Sequence, residues 1–165
     1  MNINFFVFSL LYIINESNTL NLAEGNLKTL RFNFHVQTIG ITDLISISKQ
    51  INKGLNNLNV VSGIINVFSP GATTGITTME YEPGAVEDFK DFLNKYVPYN
   101  LDYKHHQTWG CDNGASHLRA SIIGPSITIP VENSEIIVGR WQSVVLIDFD
   151  TKPRKRKIVC TFTGE

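Results

Sequence analysis

Four strand-like runs fill the C-terminal part of this chain: "SITIPV", "EIIVG", "WQSVVLIDFD" and "KIVCTFTG". They are separated by "ENS", Gly139-Arg140 and "TKPRK", and a succession of this kind reads as a β-meander. Upstream, "KTLRFNFHVQT" alternates Leu30, Phe32, Phe34 and Val36 against Arg31, Asn33, His35 and Gln37, the pattern of a half-buried strand. "VVSGIINVFS" and "GITTMEY" are two further β-rich segments around the turn "PGATT", expected to lie side by side.

Two helices fall between the early and late strands. "GITDLISISKQINKGL" has a start signal at Thr42 or Asp43 and Gly54 near its end. "EPGAVEDFKDFLNKYVP" repeats Val86, Phe89, Phe92, Leu93, Tyr96 and Val97 at helical spacing, and Pro98 stops it. Strands and helices in this order predict an α+β fold rather than a parallel βαβ sheet.

With 165 residues, 42% of them hydrophobic, the chain suits one domain with a sizeable core. A formal charge of -1 gives no reason to expect nucleic-acid binding or a membrane-surface role. Two cysteines are too few for a disulfide scaffold, which favours a reducing cytoplasm. The apolar opening "MNINFFVFSLLYIINES" has no Lys or Arg before Lys28 and is shorter than the roughly 20 residues of a membrane-spanning helix. It reads as a packed addition or an upstream extension, and residues 1–27 are taken as separate from the domain over 28–165.

The segment "HHQTWGCDNGASHLRASIIGPS" concentrates His105, His106, Cys111 and His117. "ASHLRASIIGP" reads as a short helix with His117 near its first turn, facing the loop before it. Imidazole and thiolate donors suit a divalent transition metal, yet the spacing lacks CxxC and HExxH patterns. A solvated or hydrogen-bonded loop is the competing reading. Arg119 is a candidate anion contact beside His117. Glu80, closing "GITTME", is a candidate general base or a water-facing strand residue. The turns "GCDNG" and "SPGATTG" are either phosphate cradles or positions that need glycine. "KPRKRK" reads as a solvated hairpin that protects a strand edge, and Trp141 as a core or interface anchor.

Taken in order, "VFSPGATTGITTMEYEPGAVEDF", "YKHHQTWGCDNGASHLRASIIGPSITIPV", "GRWQSVVLIDFD" and "RKIVCTFTGE" resemble the YjbQ-like family, also described as secondary thiamine-phosphate synthases. The resemblance implies a distorted β-sandwich or barrel of mostly antiparallel strands capped by helices, assembled as a homotrimer. It carries over His105 and His117 as metal or catalytic residues, Glu80 as the acidic residue, and Trp141 and Gln142 as family positions. A third family histidine has Gly71 in its place, and His106 or Cys111 is the substitute ligand to consider. The implied activity joins a pyrimidine diphosphate to a thiazole phosphate, with zinc as the expected metal and Arg119 as a phosphate contact. The alternative is a non-catalytic trimeric module for a phosphorylated small molecule.

Overall fold

The computed structural model describes residues 27–165, so the apolar N-terminal run lies outside the described residues. Two antiparallel sheets are built from β1 (Lys28–Thr38), β2 (Asp43–Ser46), β3 (Ser62–Phe68), β4 (Thr74–Glu80), β5 (Ser126–Glu132), β6 (Glu135–Ile136), β7 (Gln142–Asp148) and β8 (Arg154–Gly164). The larger sheet has the order β1-β8-β3-β5-β6 and the smaller β2-β7-β4. Four helices join them: α1 (Ser48–Leu58), α2 (Pro83–Tyr96), α3 (Lys104–Trp109) and α4 (Gly114–Ile123). The expected α+β class, with mostly antiparallel strands capped by helices, is what the structure shows.

The alternation in β1 puts Leu30, Phe32, Phe34 and Val36 toward the first core, where they meet Ile65, Val67, Ile158, Cys160 and Phe162. β7 is the centre of the small sheet and is apolar on both faces. Val144 and Leu146 enter that first core, while Val145 and Ile147, with Phe149 just beyond the strand, pack into a second core with Leu44, Leu93 and Ala120. A strand covered on both sides reads as a continuous apolar run, which is why "VVLIDF" shows no alternation.

Three local expectations are corrected. Asp43 opens strand β2 rather than a helix, because Leu44 and Ile45 pack into opposite cores, as only a period of two allows. The helix begins at Ser48, and Gly54 stands inside it because any Cβ there would collide with the Phe32 ring. β3 and β4 do not pair: β3 lies between β8 and β5, and β4 pairs with β7. The late strands are likewise no meander, since only β5 and β6 form a hairpin, and β7 and β8 join different sheets.

Helix α2 forms as expected, with Glu82 accepting hydrogen bonds from the Gly84 and Ala85 amides at its start. These two bonds hold the Glu82 carboxyl below the usual carboxylate range. Its inner face is Val86, Phe89, Leu93 and Val97, but Phe92 and Tyr96 lie outside, 57% and 61% exposed.

Candidate functional site

The histidine-rich segment is a helical corner rather than a loop. His105 and His106 lie on α3, Cys111 lies in the link, and His117 lies in the first turn of α4. Cys111 Sγ is 3.2 Å from His105 Nε2 and 3.1 Å from Asn113 Oδ1. The rings of His105 and His117 meet edge to face with centroids 4.5 Å apart. His117 Nδ1 lies 3.0 Å from the Ala72 carbonyl, and a carbonyl can only accept. The proton therefore sits on Nδ1, which leaves the Nε2 lone pair free to bind a metal or take a proton.

His106 is drawn elsewhere. Its Nε2 accepts the Gly114 amide at 3.2 Å, satisfying an unpaired donor at the start of α4. That lone pair is engaged there, so His106 serves the α3–α4 corner and is not aligned with the His105–Cys111 pair. Gly114 permits the arrangement, because a Cβ there would lie 2.5 Å from Tyr103 Cβ and 3.0 Å from His106 Nε2.

Arg119 is turned into the interior. It is 0% exposed. Its Nε and Nη2 donate to the Val97 carbonyl at 2.9 and 2.8 Å, Nη2 to Asn94 Oδ1 at 2.9 Å, and Nη1 to Thr42 Oγ1 at 2.5 Å. The guanidinium lies 4.0 Å from the Tyr99 ring centroid. Burial pulls the Arg119 pKa below its ordinary value, and burial pushes the Tyr99 hydroxyl up. This arginine closes the C-terminal end of α2 and donates to Thr42, which stands at a left-handed φ of 60°.

Glu80 is exposed at the far end of β4, opposite Gln142 in the register. At about 3.3 Å per residue, β4 puts it roughly 20 Å from Thr74, whose end of the strand adjoins the Ala72 turn. One subunit does not bring Glu80 to the histidines. Trp141 is 65% exposed, which excludes the core reading of that residue within one subunit.

Sequence reading missed a buried ionic cluster beside the Ala72 turn. Asp148 and Asp150 are 0% and 5% exposed. Arg156 grips Asp148 with Nε to Oδ2 at 2.6 Å and Nη2 to Oδ1 at 2.7 Å, and Nη2 also reaches Asp150 Oδ2 at 3.1 Å and Thr73 Oγ1 at 2.8 Å. Arg154 Nε binds Asp150 Oδ2 at 2.8 Å. Burial opposes charge on Asp150, but the hydrogen bond and charge of Arg154, aided by Arg156, hold its carboxyl below the ordinary value. Burial likewise opposes the Arg156 charge, and Asp148 outweighs it, raising the guanidinium pKa. The signal was available: Arg154 and Arg156 share the period-two phase of Ile158, Cys160 and Phe162, and Arg156, one step nearer the core, is the more buried of the two.

A family model described as UPF0047 protein YjbQ-like matches residues 32–165. The chain belongs to the YjbQ-like UPF0047 family. YjbQ-like relatives include a UPF0047 protein of Archaeoglobus fulgidus, 32% identical over 75% of this chain and 94% of its own length. Another, from Methanothermobacter thermautotrophicus, is 36% identical over 74% of this chain and 84% of its own. Among solved structures, a YbjQ-like protein of unknown function from Sulfolobus solfataricus superposes with a TM-score of 0.78 at 25% identity, covering 84% of this chain and 99% of that one. A hypothetical protein from Aeropyrum pernix gives 0.76 at 26% identity, covering 82% and 99%.

The donor set of this YjbQ-like chain can be tested against zinc. With Zn–N near 2.0 Å and Zn–S near 2.3 Å, two donors on one tetrahedral ion stand roughly 3.5 Å apart. His105 Nε2 and Cys111 Sγ are close to that spacing. No three His, Cys, Asp or Glu side chains among the described residues form a ready-made metal group, so His105 and Cys111 offer a pair of donors and His117 stands beside them with its ring centroid 4.5 Å from that of His105. Where the resemblance expects a third histidine this chain has Gly71, and a Cβ there would stand 3.1 Å from Thr74 Oγ1 and 3.5 Å from Arg156 Nη1. No described helix is long and apolar enough to cross a membrane.

Proposed function

We propose that this protein is a metal-binding, enzyme-like member of its family, holding zinc through His105, Cys111 and His117 and acting on phosphorylated small molecules in the cytoplasm. The observation that carries the reading is the His105–Cys111 pair at near-zinc spacing, with the His117 ring against it and its Nδ1 tied to the Ala72 carbonyl. Zinc there would supply a Lewis acid for a phosphoryl oxygen or a bound water. The chain's own part is to orient His117 through Ala72 and to keep a thiol and an imidazole facing each other on a half-buried corner. Thiamine-phosphate formation is the specific reaction this reading takes from the family resemblance.

Assembly as a homotrimer belongs to the same proposal. Its support is the exposed aromatic surface: Trp109 is 75% and Trp141 65% exposed, and Phe92 packs tilted against Tyr96, centroids 4.8 Å apart, on the outer face of α2. Light scattering coupled to gel filtration gives the mass directly, and a monomer overturns the trimer.

The second reading, a non-catalytic trimeric binding module for a phosphorylated ligand, is favoured by Arg119. The arginine expected to meet a departing diphosphate is sealed in the interior. Elemental analysis of protein purified without added metal or a histidine tag decides between them. Near-stoichiometric zinc, lost in the His105→Ala/His117→Ala variant, supports the enzyme-like reading, whereas metal-free wild type overturns it.

A further inference from the structure

Arg156 has one nitrogen to spare. Its Nε and Nη2 are committed to Asp148, Asp150 and Thr73, while Nη1 has no hydrogen-bond partner among the described residues. It is not a sealed orphan, since no buried side-chain nitrogen or oxygen lacks a partner among those residues. Nη1 is thus open to solvent on a side chain that is only 15% exposed. A guanidinium held by a two-point grip on Asp148 cannot swing away, so the direction of its free N–H groups is set by the fold.

Nη1 lies close to the turn where the resemblance expects a histidine and this chain has Gly71. The position a Gly71 Cβ would take is 3.5 Å from Nη1 and 3.1 Å from Thr74 Oγ1. Gly71 and Thr74 also border a cavity of about 170 Å³, lined in addition by Ala72, Ala120, Ser121 and Pro125. That is roughly five to six water volumes of about 30 Å³ each. The cavity wall includes Ala72, whose carbonyl orients His117. The neighbouring ionic cluster has two carboxylates, Asp148 and Asp150, and two guanidiniums, Arg154 and Arg156. Their charges cancel, so an incoming anion meets directed N–H donors without a repelling field.

We propose that the free Nη1 of Arg156 and the Gly71 turn form a binding site for a phosphate-type oxyanion, set beside the His117 corner. The inference rests on the reading of a phosphorylated ligand but not on the metal. Arg156 takes the part the sequence suggested for Arg119. Gly71 keeps the approach open, where any larger side chain would stand between ligand and guanidinium.

The test is a calorimetric titration with inorganic diphosphate, run with and without a chelator, on wild type and Gly71→Asp. Gly71 is not in the left-handed region, so an aspartate there carries no backbone strain and asks Thr74 Oγ1, 3.1 Å from the new Cβ, to give by a few tenths of an ångström; its carboxylate then occupies Nη1 from within the chain. The expected result is diphosphate binding that persists under chelation, weakens with added salt, and falls roughly tenfold or more in Gly71→Asp with unchanged circular dichroism. Arg156→Lys withdraws Nη1 from the turn while keeping a cation near the aspartates, and gives the same loss by an independent change. Absent binding in wild type, or equal binding in Gly71→Asp, overturns the site. Binding abolished by the chelator alone also overturns it, by placing the anion on a metal, and leaves the zinc reading standing.

Discussion

Cys111 Sγ and His105 Nε2 stand 3.2 Å apart across the link between α3 and α4. The other thiol, Cys160, is 0% exposed in the first core, and burial pushes it up to about 12. Thiolate is the reactive form, so the two cysteines should part company chemically. Iodoacetamide on the folded protein is expected to label Cys111 alone, with Cys160 labelled only after denaturation; mass mapping that finds Cys160 modified in the native state contradicts this. Cys111→Ser should lower zinc affinity by at least the roughly 10- to 100-fold typical of losing an outer-shell partner, as read by competition with a chromogenic chelator.

Arg119 stabilises the fold rather than touching ligand. Replacing it with Met removes the donors for the Val97 carbonyl, Asn94 and Thr42 and should cost about 3 kcal/mol in a denaturant titration. Diphosphate affinity of the remaining folded protein should be unchanged. A variant of full stability that no longer binds diphosphate would return Arg119 to the ligand site.

Asp150 ties stability to acid. Its folded-state pKa lies below its ordinary value of 3.8, so the folded protein binds the proton more weakly than the unfolded chain. The contribution is fully present above about pH 4 and disappears as pH falls through the lowered folded value. Melting temperatures of Asp150→Asn should therefore lie below wild type at pH 7 and converge toward it in strong acid. A constant gap across that range would show that the carboxylate's charge is not what stabilises.

Residues 1–27 should be dispensable. β1 begins at Lys28 and the family match at residue 32, and among the described residues both cores are assembled from Leu30 onward. Deleting them is expected to leave the melting temperature and the oligomeric state nearly unchanged. A loss of several degrees would assign the apolar run Ile3 to Ile14 to the core.

Much of this was readable in one dimension because it rests on local periods. The alternation of Leu30, Phe32, Phe34 and Val36 follows from the two-residue repeat of a strand, and the Val86, Phe89, Leu93 and Val97 face of α2 from the helical repeat. The grouping of His105, Cys111 and His117 was visible for the same reason: a short corner keeps them close whatever the rest of the fold does.

What the tertiary structure decided are the relations between distant segments. Sequence order implied that β3 and β4 pair, but each is satisfied by a partner from the C-terminal third, β8 and β7. Phe92 and Tyr96 fit the helical repeat and still lie outside, because the small sheet covers only one side of α2. The exchange between the two arginines has the same origin. Arg119 follows His117 by two residues, and that places it on the opposite side of α4, against the end of α2. Arg156 is far from His117 in sequence, yet β8 carries it beside the Thr73 turn, where Asp148 and Asp150 fix its direction. Local composition names the groups available for chemistry; the packing of the two sheets decides which of them remain free to perform it.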